Sequence, residues 1–283
     1  MPDRAAPRLE NTVALITGAN AGIGRATAIE LAARGAQLFL AGRSEAKMRP
    51  VIDEIARTTG GAPPRFLPLD LGDLESVRQC AAEFLRHDLP LGLLINNAGV
   101  AGPRGLTKSG FELAFGINHI GHFLLTNLLL ERLKKSAPAR VVTVASRAHY
   151  RAHGIDFEAV RRATRSISGL DEYGVSKVAN VLFSAELARR VRDSGVTTYS
   201  LHPGVVASEI WRRVPPPLRW IMKCFMISPE EGAKTTLYCA TSAEVAADSG
   251  LYYDKCKTKR PSTLARDAAL ADELWRKSEA WTA

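Results

Sequence analysis

The feature that most constrains this chain is a regular alternation of short apolar runs with segments of helical periodicity. Near-continuous apolar strands separated by helices are typical of a parallel sheet that is covered on both faces. Right-handed crossovers between such strands build a doubly wound α/β sheet. The runs that we predict as strands are VALIT (13–17), QLFLAG (37–42), RFLPLD (65–70), LGLLINNAG (91–99), ARVVTVAS (139–146), VTTYSLHPG (196–204) and GLYYD (250–254).

Length and composition fit one domain of this kind. The chain has 283 residues, of which 46% are hydrophobic, and no internal linker interrupts the pattern. We therefore predict a single Rossmann-type domain over residues 1–283, with its core at 11–254. An insertion is expected at about 205–230 and a helical tail at 262–283.

Other features of the sequence narrow the class of protein. The first residues are polar, no apolar stretch reaches the roughly 20 residues that span a bilayer, and the cysteines show no CxxC spacing. These features predict a cytoplasmic protein with reduced thiols. The net charge of +9 favours a solvated basic surface, with attraction of an anionic cofactor or of an acidic membrane surface as alternatives. Because the basic residues are spread along the chain, we expect no nucleic-acid partner.

A glycine-rich loop, TGANAGIG (17–24), stands where the first strand meets the first helix. Glycines let the backbone approach a pyrophosphate, and the helix N-terminus offers free N–H groups and a favourable dipole. At the first turn of a doubly wound sheet, this pattern predicts a dinucleotide site. The phosphate-binding residues that we predict are Gly18, Asn20, Gly22, Ile23 and Gly24.

The end of the second strand distinguishes the two nicotinamide dinucleotides. A carboxylate about 20 residues beyond the glycines binds the ribose 2′-OH of NAD, whereas an arginine accommodates the 2′-phosphate of NADP. Here the segment reads LAGRSE, with Gly42 at the strand end and Arg43 after it. We therefore predict NADP(H) as the cofactor, with Arg43 at the 2′-phosphate. Glu45 lies close enough to leave NAD as the alternative.

Three further motifs accompany the glycine loop: NNAG at 96–99, a serine at the end of VTVAS (142–146), and YGVSK at 173–177. Together these motifs resemble the short-chain dehydrogenase/reductase family over about residues 11–254. The sequence is similar to the retinol dehydrogenase branch of that family, without the N-terminal hydrophobic anchor of its membrane-bound members. The stretches that carry this similarity are NHIGHFLLTNLLL (118–130), RVVTVASRAH (140–149), KVANVLFSAELARR (177–190) and SLHPGVVASEI (200–210).

The pair Tyr173 and Lys177 has the spacing of neighbours on one helical face. A free phenol has a pKa of about 10, so a tyrosine that acts as acid and base near neutral pH needs a lower pKa. A lysine ammonium at about 4–5 Å supplies on the order of 3–4 kcal/mol at an effective dielectric constant of about 20. We therefore predict that Lys177 lowers the pKa of Tyr173, the acid–base group. Ser146, which ends the fifth predicted strand, is expected to donate to the substrate oxygen.

The family resemblance implies further roles. It makes Asn118 the fourth catalytic residue, holding a water that relays protons to Lys177, and it gives Lys177 hydrogen bonds to the nicotinamide ribose. It also places Asp70 near the adenine, whereas structural turns are the alternative for 70–71 and 97–99. The remaining cofactor contacts predicted in this way are Leu71, Asn97, Ala98, Gly99, Tyr173, Pro203, Gly204, Val206 and Ser208.

Two histidines on the predicted helix around residue 120 raise the question of a metal. His119 and His122 are three residues apart, but no Cys, Asp or Glu completes a ligand set. The chemistry predicted above, proton transfer by a tyrosine beside a nicotinamide cofactor, requires no metal. We therefore predict that both histidines have packing or surface roles.

The segment 209–227 is aromatic, apolar and basic. In this fold the chain after the sixth strand usually covers the substrate, which predicts a lid and an apolar substrate. Contact with anionic lipid and plain packing are the alternatives. The apolar residues of the predicted lid are Trp211, Trp220, Ile221 and Phe225, and the basic residues that fit a lipid surface are Arg212, Arg213, Arg219 and Lys223.

These observations predict an NADP(H)-dependent oxidoreductase that interconverts an apolar aldehyde or ketone, retinal-like or otherwise lipophilic, and its alcohol. Reduction is the expected direction with NADPH as the hydride source. The alternatives are an NAD-dependent alcohol dehydrogenase, a nucleotide-binding regulator on the same fold, and an enzyme of this fold with another task. We also expect peripheral membrane contact and a homodimer, which would form through helices at 111–135 and 173–194.

Overall fold

The computed structural model describes residues 8–204 and 227–283. Residues 205–226, which include Val206, Ser208 and nearly all of the predicted lid, lie outside the described residues. The predictions for that segment therefore stay predictions.

One sheet of eight strands forms the centre of the described structure. The strands are β1 (Val13–Thr17), β2 (Gln37–Gly42), β3 (Arg65–Pro68), β4 (Leu93–Asn96), β5 (Ala139–Val144), β6 (Val196–His202), β7 (Leu251–Asp254) and β8 (Lys257–Thr258). Their order is β3–β2–β1–β4–β5–β6–β7–β8, and every neighbouring pair is parallel except β7 with β8. The strand order reverses direction between β1 and β4, which confirms the predicted doubly wound sheet.

Helices cover both faces of the sheet. They are α1 (Gly22–Ala33), α2 (Glu45–Thr59), α3 (Leu74–Arg86), α4 (Leu113–Lys135, with a π-helical turn at Gly116–Ile120), α5 (Leu170–Arg190), α6 (Pro229–Thr241) and α7 (Ala268–Thr282). Successive residues of β1 enter opposite cores: Val13 and Leu15 belong to one apolar cluster, and Ala14 and Ile16 to the other. This two-sided burial is the reason that the strands read as continuous apolar runs.

The strands end earlier than the sequence pattern predicts. β3 ends at Pro68 and β5 at Val144, so that Asp70 and Ser146 lie in the turns that follow these strands. The short strand β8 was not predicted. It follows a turn in which Lys255 and Cys256 have φ angles of 54° and 57°, a conformation that usually takes glycine or asparagine, so the sequence carries no signal for this hairpin.

The helix α4 lies in the layer of helices on one face of the sheet. Among the described residues it is the one helix long and apolar enough to cross a membrane by length and composition. Most of its apolar stretch is buried within the chain, against α3 and the sheet, as in the core helix of a globular domain. Gly121 allows this close approach, because an added Cβ atom there would lie 2.4 Å from the carbonyl oxygen of Leu71.

The C-terminal helix α7 packs against α4 and α5. Trp275 is buried between Phe123 of α4 and Phe183 of α5, with ring centroids 4.9 and 5.8 Å away. The guanidinium of Arg190 lies 4.5 Å from the ring centroid of Trp275, and it also pairs with Asp272 at 3.0 Å. The predicted helical tail therefore closes the surface of the helix pair that carries Tyr173 and Asn118.

We expect Trp275→Ala to lower the free energy of unfolding by about 3–5 kcal/mol, because a large cavity opens between α4, α5 and α7. Trp275→Phe is the matched control. It keeps an aromatic ring in place and removes an indole N–H that has no hydrogen-bond partner among the described residues, so its cost is much smaller. Urea unfolding of the full chain measures both. Equal and small effects of the two variants would contradict this packing of α7.

Candidate active site

The glycine loop packs directly on the loop that follows β4. Gly18 has a φ angle of 68°, and a Cβ atom there would lie 2.9 Å from Ala98. A Cβ atom on Gly24 would lie 2.5 Å from both the carbonyl oxygen of Gly18 and Nδ2 of Asn97. These glycines are therefore required by the contact between the two loops as well as by the turn.

The N-terminus of α1 has the properties of an anion site. Its N-cap residue, Ala21, provides no side-chain hydrogen bond to the first turn, which contains no acidic residue. The orphan N–H groups of a helix start are then available to a phosphate, and the helix dipole favours the negative charge. Asn20 is exposed and Ile23 partly exposed at the same turn. The loop therefore fits the pyrophosphate of a dinucleotide.

Arg43 and Glu45 both follow β2, but their side chains have different surroundings. Arg43 is exposed and forms no ion pair with any residue in 8–204 or 227–283. Glu45 opens α2, where its carboxylate accepts a hydrogen bond from Arg49 at 2.7 Å. Ser44 caps the same helix by accepting from the N–H of Lys47 at 3.4 Å. The guanidinium of Arg43 is thus available to an anion, while the nearby carboxylate already has a cationic partner.

Tyr173, Lys177 and Ser146 meet at the carboxyl edge of the sheet. The buried Lys177 places Nζ 5.6 Å from the centroid of the Tyr173 ring and donates to the carbonyl oxygen of Val144 at 2.8 Å. Ser146 follows β5 and accepts a hydrogen bond from the N–H of Ala148 at 3.1 Å. The Ser146 hydroxyl also lies close enough to the Tyr173 side chain to hydrogen-bond with it, and it has one hydrogen that it can donate.

The protonation of this pair differs from the sequence-based expectation. Burial raises the pKa of Tyr173, and the neighbouring Ser146 side chain opposes the shift. Burial lowers the pKa of Lys177 to about 7. The low polarity of the site favours the neutral form of both groups, and Lys177 is directed to a backbone carbonyl. In the structure, therefore, Lys177 does not bring the pKa of Tyr173 below its ordinary value.

Asn118 lies in the π-helical turn of α4 and is fully buried. Its Oδ1 accepts from the N–H of Val100 at 2.8 Å, and its Nδ2 donates to the carbonyl oxygen of Val100 at 3.0 Å and to Oγ of Ser176 at 2.9 Å. The side chain is thus occupied in fixing the loop after β4. Its main-chain carbonyl lies in the π-helical turn, a feature that is frequent at functional sites.

The loop after β4 connects the cofactor side to the catalytic side. Asn97 donates through Nδ2 to the carbonyl oxygens of Thr17 and Gly18 at 2.8 and 3.2 Å. A Cβ atom on Gly99 would lie 3.1 Å from Oδ1 of Asn118 and 3.6 Å from Nζ of Lys177. A side chain at position 99 would therefore enter the catalytic centre.

The remaining predicted contacts surround this loop. Asp70 accepts from the N–H of Gly72 at 2.9 Å, and the buried Leu71 packs on Gly121. Pro203 and Gly204 follow β6, and Gly204, with a φ angle of 94°, lies against Ile227. The structure thus brings every predicted site residue among those described to one edge of the sheet.

Three supporting residues were not predicted from the sequence. Thr17 accepts through Oγ1 from the N–H groups of Asn97 and Ala98 at 3.0 and 2.9 Å. Ser176 accepts from Asn118 and donates to the carbonyl oxygen of Tyr173 at 2.8 Å. His122 is also buried in this network. Thr17 and Ser176 lie within the quoted motifs, but nothing in the spacing distinguishes a supporting hydroxyl from a surface one.

Comparison with known proteins identifies the family of the chain. The model of the short chain dehydrogenase family matches residues 12–218. Human retinol dehydrogenase 11 is 45% identical over 271 residues, covering 95% of this chain and 85% of that protein. Human retinol dehydrogenase 12 is 45% identical over 276 residues, covering 96% and 86%.

Solved structures show the same fold. An uncharacterized protein from Mycobacterium paratuberculosis has a TM-score of 0.79 at 34% identity, covering 98% of this chain and 96% of that chain. The RhlG/NADP active-site complex from Pseudomonas aeruginosa has a TM-score of 0.69 at 26% identity, covering 87% and 94%. The chain therefore belongs to the short-chain dehydrogenase/reductase family of oxidoreductases, within its retinol dehydrogenase branch.

Proposed function

We propose that the protein is an NADP(H)-dependent reductase that converts an apolar aldehyde or ketone, retinal-like or otherwise lipophilic, into its alcohol. The observation that carries this proposal is the meeting of Tyr173, Lys177 and Ser146 beside Gly99, at the edge of the sheet where the glycine loop also lies. The names of the relatives, retinol dehydrogenases 11 and 12, support the lipophilic class of substrate.

The residues of the chain have separate tasks in this reaction. Tyr173 donates a proton to the substrate oxygen, and its raised pKa keeps the phenol protonated at neutral pH, as reduction requires. Ser146 donates its hydroxyl hydrogen to the same oxygen and polarises the carbonyl. Lys177, with a pKa of about 7, is suited to return a proton to the tyrosine, and the main-chain carbonyl of Asn118 is suited to hold a relaying water.

The cofactor site is assigned from the loops described above. When bound, NADPH supplies the hydride. The N-terminus of α1 and the glycine loop would hold the pyrophosphate, and Arg43 would hold the 2′-phosphate, while the absence of a side chain at Gly99 keeps space beside Lys177. The pairing of Glu45 with Arg49 supports NADP over NAD, because it gives the carboxylate nearest in sequence to the end of β2 a cationic partner.

The proposal also includes the location of the enzyme and the role of residues 209–227. We place it in the cytoplasm, with residues 209–227 as a lid over the substrate or as a contact with anionic lipid. A homodimer through the helices at 111–135 and 173–194 stays a prediction. Trp275 of α7 occupies the groove between α4 and α5, so a partner would contact the part of these helices that α7 leaves uncovered.

The central test is NADPH consumption with a panel of apolar aldehydes and ketones, retinal included, beside Tyr173→Phe. We expect turnover that falls by at least about 100-fold in the variant, because general acid catalysis contributes about 10²–10⁴-fold. NADPH affinity, measured by fluorescence, is expected to stay within a few-fold. Tyr150→Phe, which removes an exposed hydroxyl bonded to the carbonyl oxygen of Arg260, is the matched control with full activity. Tight NADPH binding without any turnover would favour a nucleotide-binding regulator.

Replacing Arg43 tests the cofactor preference. We expect Arg43→Leu to weaken NADPH binding by about 10- to 100-fold, because a hydrogen bond to a charged group contributes about 1.5–3 kcal/mol, while NADH binding changes little. Arg49→Leu removes an exposed arginine of α2 that pairs with Glu45 and serves as the control. The dissociation constants of NADPH and NADH, measured for the native protein and both variants, test this expectation. A native protein that binds NADH as tightly as NADPH would refute the assignment.

The raised pKa of Tyr173 predicts opposite pH dependences for the two directions. Reduction uses the protonated phenol, so its single-turnover rate should stay level between about pH 6 and pH 8. Alcohol oxidation uses the phenolate, whose fraction rises about tenfold for each pH unit below the pKa, so its rate should still be rising above pH 9. An oxidation rate that levels off below pH 8 would show that the loaded enzyme lowers the pKa of Tyr173, as the sequence predicted.

A further inference from the structure

A histidine outside the catalytic motifs connects the two halves of the site. His122 lies one turn after Asn118 on α4 and is buried to 1% exposure. Its Nδ1 lies 3.0 Å from the main-chain carbonyl oxygen of Asn118, and its Nε2 lies 2.8 Å from Oγ1 of Thr17. Both ring nitrogens thus contact groups that belong to the candidate active site.

The partners of the ring determine where its proton lies. A carbonyl oxygen only accepts, so Nδ1 carries the hydrogen and donates to Asn118. Thr17 Oγ1 already accepts from the N–H groups of Asn97 and Ala98, so its hydroxyl hydrogen is free to be donated to Nε2. The alternative acceptor for that hydrogen, the carbonyl oxygen of Ile95, lies farther away at 3.5 Å.

The charge state of the ring agrees with this assignment. Burial lowers the pKa of His122 to about 4, and the nearby Lys177 acts in the same direction. A neutral imidazole has one donor and one acceptor, which the two contacts use completely. His119, on the same helix, differs in that its Nε2 contacts Oγ of Ser278 in α7 and its Nδ1 has no partner among the described residues.

We infer that His122 is a positioning residue that couples the cofactor loops to the carbonyl of Asn118 through a fixed Nδ1–H tautomer. The hydrogen bonds run in one direction, from the N–H groups of Asn97 and Ala98 to Thr17, from Thr17 to His122, and from His122 to Asn118. Its effect on the reaction rests on the proposed function, whereas the tautomer and its effect on NADPH binding do not.

The direction of the chain of bonds gives each half of the imidazole a separate task. The Nε2 acceptor orients the Thr17 hydroxyl, which holds the loop against which the glycine loop packs, and so it affects NADPH affinity. The Nδ1 donor fixes the main-chain carbonyl of Asn118 in the π-helical turn, and so it affects the proton relay and kcat. Substitutions that retain one nitrogen position at a time therefore separate the two effects.

The first experiment reads the tautomer directly. In long-range ¹H–¹⁵N NMR spectra of the full chain labelled with ¹⁵N-histidine, we expect His122 as the neutral Nδ1–H form from about pH 5.5 to pH 8. The spectrum of His122→Gln assigns its signals. A neutral Nε2–H form, or protonation within this pH range, would overturn the inference. This result does not depend on turnover with any substrate.

The second experiment compares His122→Asn, His122→Gln and His122→Leu. The amide nitrogen of Asn stands near the Nδ1 position, so this variant should keep kcat within a few-fold while weakening NADPH binding by about tenfold. The amide oxygen of Gln reaches the Nε2 position, so this variant should keep NADPH affinity while lowering kcat by about tenfold. Leu should lose both. These changes correspond to about 1.4 kcal/mol for each tenfold effect.

A purely structural role gives a different pattern. In that case NADPH affinity and kcat would fall together in all three variants, in proportion to the loss of thermal stability, and this would overturn the inference. His119→Asn is the matched control, since it disturbs a buried histidine of α4 that faces α7, and it should lower stability without separating kcat from affinity. Should the native protein turn over no carbonyl, the proposed function fails, while the tautomer and the NADPH affinities still test this inference.

Discussion

The hydroxyl group of Thr17 lies where the end of β1, the loop after β4 and the helix α4 meet, and the geometry of the site depends on it. It accepts two backbone N–H groups of the loop after β4 and contacts the ring of His122. All of these groups are buried or partly buried, so an unmade hydrogen bond would be costly. The glycine loop can approach the neighbouring loop this closely because residues 18 and 24 have no side chain. The candidate cofactor residues and the candidate catalytic residues are thereby held in one connected unit.

Burial sets the chemistry of the catalytic pair. The same low polarity that keeps Tyr173 protonated lowers the pKa of Lys177 to about 7, so the lysine exchanges its proton near physiological pH. Such a pair fits proton donation to a substrate oxygen followed by return of a proton from the lysine. Ser146 lies beside this pair, where its oxygen caps the next turn and its side chain contacts that of Tyr173. These residues thus support the proposed reduction of a carbonyl group.

The helix pair that carries Asn118 and Tyr173 is closed on its outer side by the chain itself. The middle of α5, from Ser176 to Ser184, is buried throughout, and Trp275 of α7 is stacked against Phe183. The apolar outer face of a helix pair is often buried by a second copy of the chain. Here α7 of the same chain buries part of that face.

The sequence by itself determined the doubly wound sheet and indicated the glycine loop and the candidate catalytic residues, because apolar periodicity and motif spacing are local properties of a chain. The strands β1 and β2 were predicted to the residue for the same reason. The tertiary structure alone decided the protonation of Tyr173 and Lys177, which depends on how deeply packing buries them. It also decided the placement of α7, the hairpin at Lys255 and Cys256, and the role of His122, whose partners are separated from it by up to 105 positions in sequence. Spacing along a chain carries no record of such contacts, because they form only when distant segments pack together.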